Sequence, residues 1–286
     1  MNLNKQSKWR FEVAEYLFSK IDIDSNLLSF FVGGSVARNC ADEYSDLELC
    51  FVWKKEVSKK IRIVIYDQMG LNLKKISDIK DNTIPFGESY NFRNLKLDIW
   101  HLTENNINKT LSSVQEDLDI DIQKMNLLET FQSCIPIYGL EFILELNTKI
   151  VYKRALGLKI VDEYSKTFFR ANFDLFILRK DNTLCYTFIA KYLKHIYIVL
   201  EAINFQYSLS SKRIHFSLQK LKIKPKNIIS LYQNINKLDI VEAWTEIKSL
   251  KLEIIELIKI HYPEIDLSRI ERNMKIKRAK LDDSII

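Results

Sequence analysis

Three acidic residues interrupt two strongly apolar segments of the sequence. Asp46 and Glu48 are separated by one residue at the start of a run that continues through Leu49 to Trp53. Alternate residues of a β-strand project to the same face, so these two carboxylates would lie side by side. Two carboxylates about 4 Å apart repel by about 1 kcal/mol in water and about 4 kcal/mol at an effective dielectric constant of 20. A cation or full solvation must offset this repulsion, and the apolar neighbours argue against full solvation.

The third acid, Asp98, lies between Leu97 and Ile99 in a second apolar segment. If the two segments form neighbouring strands, the three carboxylates converge. Hard oxygen ligands in that number suit Mg²⁺, and two such ions can assist an in-line displacement at phosphorus. The alternative is an exposed Asp98 on the polar side of a hairpin, paired with Lys96 or Arg93.

A glycine turn, which we define as Gly33 to Ser35, follows the apolar run Leu27 to Val32. Glycine permits a positive φ and a close approach of a ligand to the backbone, and a helix start favours phosphate. A plain strand-to-helix turn explains the same residues. The turn is neither a Walker loop nor a dinucleotide fingerprint, because the Gly-Lys-Ser/Thr element and the Gly-x-Gly-x-x-Gly spacing are both missing.

Gly33-Gly34-Ser35, ten further residues, Asp46-Leu47-Glu48-Leu49 and the later Asp98 together resemble the signature of the DNA-polymerase-beta-like nucleotidyltransferase superfamily. The string from Gly34 to Leu49 is most similar to the branch that contains bacterial aminoglycoside and lincosamide nucleotidyltransferases. This similarity covers about residues 27 to 102. Two positions depart from it: Asn39-Cys40 stands where many relatives have Gly-Thr or Gly-Glu, and Glu48 stands where Asp is commoner.

The resemblance implies that a nucleoside monophosphate passes from a nucleoside triphosphate, with ATP the expected donor, to a hydroxyl, with release of pyrophosphate. It implies two Mg²⁺ ions, with Asp46 and Glu48 as ligands. Asp98 would act as a ligand to the catalytic ion, as the general base for the acceptor hydroxyl, or as both. The glycine turn would hold the β- and γ-phosphates of the nucleotide.

Basic residues are further candidates for nucleotide binding. Arg38 would contact the triphosphate, or else form a surface salt bridge with Asp42 or Glu43. Lys191 interrupts an apolar helix together with Lys194. One of these two lysines would face the phosphates, or else each extends its ammonium group from the surface into solvent.

The acceptor is expected to be a small molecule with a hydroxyl, such as an aminoglycoside, which would make the protein an antibiotic-resistance enzyme. The same chemistry on a tRNA or protein hydroxyl, as in toxin–antitoxin nucleotidyltransferases, is the second hypothesis. The net charge of +6 is mild and does not favour nucleic acid. A non-catalytic nucleotide-binding protein is the third, although retention of all three acids argues against it.

The elements around these residues predict an α+β fold, in which a mixed β-sheet flanked by helices is followed by an all-helical part. We assign residues 1–147 to a nucleotidyltransferase domain and residues 148–286 to a helical substrate-binding domain. The strands that must position the acids are predicted at Leu27–Val32 and Asp46–Trp53. A hairpin is predicted over Glu88–Leu102 and a short edge strand or turn over Ile135–Gly139.

Helical patterns account for most of the remaining chain. In the first part they are predicted at Ser7–Lys20, Val36–Cys40, Glu56–Met69, Glu104–Glu116 and Asp119–Ser133. In the second part they are predicted at Asp162–Arg179, Asn182–Tyr207, Asn227–Asn236 and Asp239–His261.

The remaining sequence features point to a cytoplasmic protein. The four cysteines form no C-x-x-C pair, which leaves a structural zinc site or disulfide framework unsupported. The segment Met1 to Arg10 is polar and basic and has no apolar core of a signal peptide. No apolar run reaches the roughly 18 residues that cross a bilayer, so no membrane partner is expected. No motif specifies an oligomeric state.

Overall fold

A computed structural model of the 286-residue chain describes the following ranges: 2–71, 75–79, 86–168, 173–207 and 214–275. The chain divides into two compact units, Met1–Val151 and Tyr152–Ile286.

The described part of the first unit contains six strands and six helices. The strands are β1 Leu27–Val32, β2 Leu47–Trp53, β3 Lys75–Ile79, β4 Phe86–Phe92, β5 Leu95–Thr103 and β6 Ile135–Tyr138. The helices are α1 Lys5–Phe18, α2 Gly34–Ala37, α3 Lys59–Gln68, α4 Glu104–Gln115, α5 Ile122–Ser133 and α6 Leu140–Lys149.

The strands form one mixed sheet in the order β3-β4-β5-β2-β1-β6. Strands β2 and β5 pair in parallel at its centre, and the other neighbouring strands are antiparallel. The predicted hairpin is confirmed as β4 and β5, joined by Arg93 and Asn94 with positive φ. Strand β6, which carries Pro136, lies at an edge as its missing N–H donor requires.

One face of the sheet forms the apolar core of this unit. Leu47, Leu49 and Phe51 of β2 are fully buried there, as are Leu97 and Ile99 of β5. Because side chains alternate along a strand, the neighbouring positions of β2 and β5 are left for the opposite face. The residues with acidic side chains therefore occupy a face that the hydrophobic pattern itself defines.

A buried polar network crosses the core at the far ends of these strands. The indole N–H of Trp53 donates to Nδ1 of His101 over 3.0 Å, and Tyr66 Oη lies 2.7 Å from Nε2 of the same ring. Since an indole N–H only donates, His101 carries its proton on Nε2 and donates it to Tyr66. Burial, with the charge of Arg62 added, lowers the pKa of His101 to about 3. His101 is therefore a neutral structural residue.

The described part of the second unit contains helices and no strand. Its helices are α7 Arg154–Phe168, α8 Asp174–Leu178, α9 Asn182–Ile203, α10 Ile214–Lys220, α11 Ile228–Asn234, α12 Ile240–His261 and α13 Ser268–Lys275, with a 3₁₀ turn at Ile235–Lys237. Helix α12 begins with a capping box in which Asp239 and Glu242 satisfy the first backbone N–H groups. None of the described helices is long and apolar enough to cross a bilayer.

The predicted α+β class, a mixed sheet with flanking helices followed by a helical part, is confirmed. Several elements differ from the prediction. Strand β3 and helices α6, α10 and α13 lie outside the predicted elements, and α7 begins at Arg154 rather than Asp162. Gly157 lies inside α7, where a Cβ would come within 2.0 Å of Tyr262 Oη, so a close helix contact accounts for this glycine. Part of the helix predicted over Asp162–Arg179 lies outside the described residues.

Candidate active site

The glycine turn connects β1 to α2 and lies against β2. The N–H of Gly33 donates to the backbone carbonyl of Glu48 over 3.0 Å, which ties the turn to the strand that carries two of the acids. Gly34 has φ +61°, a left-handed conformation that L side chains rarely adopt. The turn thus requires glycine at position 34 for its backbone alone.

The carboxylate of Glu48 supplies a second reason for glycine at position 34. A Cβ there would lie 2.5 Å from Cδ of Glu48 and 2.6 Å from each carboxylate oxygen. Glu48 therefore packs against the bare Cα of Gly34, and the two glycines of the turn have different roles. At Gly33 a Cβ would meet Thr130 of α5 at 3.3 Å, so this helix forms another wall of the turn.

The parallel pairing of β2 and β5 brings the third acid to the first two. Glu48 and Asp98 are register partners across these strands. On the other side of β5, Asp98 is the register partner of Ser89 in β4. Asp46 directly precedes β2, two residues before Glu48 and toward the same face. Glu48 and Asp98 are therefore neighbours, as the sequence predicts. Asp98 pairs with Lys96, as in the alternative interpretation, but it is buried and not exposed.

Both oxygens of Asp98 have a hydrogen-bond partner. The hydroxyl of buried Ser89 donates to Oδ1, and the ammonium group of Lys96 donates to Oδ2 over 2.6 Å. Lys96 Nζ also lies 3.5 Å from Oδ2 of Asp46. Partial burial lowers the pKa of Lys96, but the hydrogen bond and the charges of Asp98 and Asp46 outweigh it and hold the pKa above its ordinary value. One ammonium group thus bridges two of the three acids.

Two features of this cluster fit a divalent cation. The donors are carboxylate oxygens, the ligands that Mg²⁺ prefers. Asp46 and Asp98 already share one positively charged partner in Lys96. Glu48 points instead toward the glycine turn. Within the described ranges, no three His, Cys, Asp or Glu side chains lie close enough together to hold a metal ion as they stand. The side chains therefore bring Asp46 and Asp98 to one shared cation, Lys96, and hold Glu48 against the glycine turn.

The charge of Glu48 affects a neighbouring thiol on the same face of β2. Burial raises the pKa of Cys50 well above its ordinary value, and the negative charge of Glu48 adds to this effect. Cys50 is therefore a neutral thiol in the wall beside the acids.

Arg38 has a different partner from those considered in the sequence. It forms an ion pair with Glu129 of α5 at 3.2 Å, and both side chains are largely buried. The expected alternative, a surface salt bridge with Asp42 or Glu43, is wrong because α5 packs beside the turn and supplies a nearer carboxylate. Neighbouring Asn39 has φ +57°. Asparagine tolerates this left-handed conformation better than most residues other than glycine.

The remaining candidate, Lys191, is an exposed residue of α9 in the second unit. Burial of His195 lowers the pKa of that residue to about 4, and the positive charge of Lys191 adds to this effect.

Sequence reasoning did not assign Ser89 of the hairpin or two residues of α5 near the glycine turn. Lys96 was named only as the partner of Asp98 in the alternative interpretation, and its position two residues before Asp98 places it on the same strand face. Glu129 and Thr130 come from α5, and nothing in their local sequence points to the glycine turn.

Comparison of the sequence with protein-family models and with curated proteins gave no match. Fourteen chains of solved structures match this chain in the structure comparison. A nucleotidyltransferase-like protein from Exiguobacterium sibiricum 255-15 is 9% identical over 90% of this chain and 75% of that chain, with a TM-score of 0.39. Cid1 poly(U) polymerase in its Mg 3′-dATP-bound and MgGTP-bound forms is 19% and 18% identical over 45% of this chain, each with a TM-score of 0.27. The chain spans 41% and 43% of those polymerase chains.

Proposed function

We propose that the protein is a nucleotidyltransferase that moves a nucleoside monophosphate from a nucleoside triphosphate to a hydroxyl of a small molecule. The observation that carries the proposal is the pairing of Glu48 with Asp98 beside a glycine turn whose Gly34 leaves room for the Glu48 carboxylate. Carboxylates that can hold metal ions, beside a place for the phosphates, are what metal-assisted phosphoryl transfer needs.

Asp98 is the proposed general base. As the acceptor oxygen attacks the α-phosphorus, Asp98 takes the hydroxyl proton, and the bond from that phosphorus to the bridging oxygen of pyrophosphate breaks. The hydrogen bond from Ser89 fixes the carboxylate in place for this transfer. Burial of Asp98 between β4 and β2 limits competition by water.

The other residues bind and orient the nucleotide. Gly34 and the Ser35 hydroxyl are proposed to meet the phosphates, while Gly33 holds the turn to β2 through its bond to Glu48. Asp46, Glu48 and Asp98 would hold Mg²⁺, which when bound neutralises triphosphate charge and lowers the pKa of the acceptor hydroxyl. We further assign Arg38 to the triphosphate, with Glu129 orienting its guanidinium group.

We assign the helical part, residues 148–286, to substrate binding, with Lys191 as a phosphate contact. A cavity of about 570 Å³ lies within this part, a volume that suits a small ligand. Apolar side chains such as Ile189, Leu193 and Ile235 line it together with Lys194, and no acid is among its described lining residues. That lining suits a neutral or partly apolar acceptor better than a polycation, so neutral hydroxyl compounds belong in the acceptor screen beside aminoglycosides.

The test is transfer of radiolabel from each α-labelled nucleoside triphosphate, in the presence of Mg²⁺, to a panel of hydroxyl compounds, tRNA and protein. We expect labelled product and equimolar pyrophosphate with a small-molecule acceptor. Labelled tRNA or protein would instead identify a macromolecular acceptor. If wild type and Asp46→Ala give identical results, the proposed enzyme activity is rejected and the hypothesis of a non-catalytic nucleotide-binding protein replaces it.

A further inference from the structure

The position of Lys96 raises a question that the proposed activity does not answer. Its side chain leaves β5 on the same face as Asp98 and places Nζ between Oδ2 of Asp98, at 2.6 Å, and Oδ2 of Asp46, at 3.5 Å. These are two of the carboxylates assigned to Mg²⁺. A cation supplied by the chain itself therefore lies where an added cation would bind.

Electrostatics explains why the ammonium group lies there. Two carboxylates on one face of neighbouring strands repel each other, and a positive charge between them removes that repulsion. A divalent ion and an ammonium group cannot share the position, because their own repulsion would be larger still and both need the same oxygens. Binding of an ion between Asp46 and Asp98 therefore requires that Lys96 moves away.

Lys96 has the freedom to make this movement. Its side chain is 47% exposed, and its four methylene groups allow the ammonium group to move into water with little rearrangement of the strand. Asp98 is far less exposed, at 13%, and is held by Ser89. Asp98 is thus held in place, and Lys96 is the mobile partner of the pair.

We propose that Lys96 competes with the divalent ion for Asp46 and Asp98. This inference rests on the proposed function and adds a means of regulation to the same site. Lys96 keeps the acids paired while no nucleotide is bound and weakens the affinity for free metal. The ion then binds efficiently only together with the triphosphate, whose oxygens complete its ligand shell.

The test is a titration of Mn²⁺, in the absence of nucleotide, followed by electron paramagnetic resonance of the free ion. Lys96→Met and Lys96→Gln are compared with wild type. Both variants are expected to bind Mn²⁺ at least tenfold more tightly. In the double variant with Lys96→Met and Asp98→Asn, the gain in Mn²⁺ affinity should disappear. That result would place the ion at Asp46 and Asp98.

The matched control is Lys54→Met, which removes the same charge from an exposed lysine at the other end of β2. It should leave the Mn²⁺ affinity unchanged, so that a general charge effect is distinguished from competition. Circular dichroism confirms that each variant is folded.

Equal Mn²⁺ affinity in wild type and both Lys96 variants, with nucleotidyl transfer intact, would overturn the competition and leave the proposed function standing. If wild type and both Lys96 variants bind no Mn²⁺ and transfer no nucleotide, both proposals are rejected. If the Lys96 variants bind Mn²⁺ more tightly but neither they nor wild type transfer a nucleotide, the competition is supported and the proposed nucleotidyl transfer is rejected.

Discussion

The carboxylate of Glu48 occupies the space that a side chain at Gly34 would need. A Cβ at this position would lie 2.6 Å from each carboxylate oxygen, on a backbone with φ +61°. The conformation of the glycine turn and the orientation of one proposed metal ligand are therefore a single structural unit, and a change in either alters the other.

Gly34→Ala is the direct test of this relationship. The left-handed backbone should cost about 1–2 kcal/mol of unfolding free energy, and the new methyl group should push the Glu48 carboxylate aside. We expect a loss of nucleotidyl transfer of about tenfold or more. Urea unfolding and initial rates provide the measurements.

Gly70→Ala is the matched control for this substitution. Gly70 has φ +75°, and a Cβ at this position would meet nothing within 4 Å, so it has the backbone strain without the collision. The two variants should lose similar stability, and only Gly34→Ala should lose activity. Equal nucleotidyl-transfer rates in Gly34→Ala and Gly70→Ala would show that the activity does not depend on the position of the Glu48 carboxylate.

Removal of the acidic charges should separate activity from stability. Asp46→Asn and Glu48→Gln each keep the shape of the side chain and relieve repulsion among the acids. We expect transfer to fall by about 100-fold or more, since a ligand of the reacting site is lost, with the melting temperature nearly unchanged. Asp67→Asn, at an exposed position of α3, should retain full activity. A collapse of the melting temperature in either active-site variant would show that these acids stabilise the fold instead.

Because of His101, the free energy of unfolding should decrease as the pH is lowered. Unfolded histidine takes up a proton near pH 6.5, whereas burial lowers the pKa of His101 to about 3 in the folded state. Between these values the unfolded state binds more protons, so the free energy of unfolding decreases as the pH falls. The contribution is at most about 1.4 kcal/mol per pH unit. Urea titrations of wild type and His101→Gln from pH 7 to 4.5 should give a shallower dependence in the variant; parallel curves would contradict the assignment.

Because of Lys251, the free energy of unfolding should increase as the pH rises through the alkaline range. It is buried in α12, with Nζ 3.8 Å from the ring centre of Tyr192 and 4.4 Å from that of Trp244. Burial, partly opposed by Asp174 and reinforced by Lys248, lowers its pKa to about 7. Above that value the folded state has released a proton that the unfolded state still holds, so stability increases with pH until about 10.5.

Lys251→Met should remove this increase. Urea unfolding between pH 7 and 9 stays below the range in which tyrosines ionise and gives the required slopes. The control is Lys222→Met, at an exposed position of the same unit, which should keep the wild-type slope. A wild-type curve that is already flat would mean that Lys251 is protonated in the folded state.

The fold class and the central strands were predictable because their physical signals are local. Apolar alternation in β2 and β5 identifies both strands and the face on which their acids lie, and Pro136 marks an edge. The partners of the glycine turn were not predictable. Glu129 and Thr130 reach it only because α5 packs there, and tertiary packing leaves no mark in the sequence around those residues.

The uninterrupted pairing of β2 with β5 restricts which mutations these two strands can accept. Leu47 to Trp53 match Leu97 to Thr103 without a bulge, and the same alignment that sends Leu97 into the core sends Asp98 out of it. Insertion or deletion of one residue in either strand would exchange the two faces beyond that point, burying a charge and exposing a leucine. Substitutions can accumulate in these strands one at a time, whereas a change in their length would destroy the hydrophobic core and the acidic cluster in a single event.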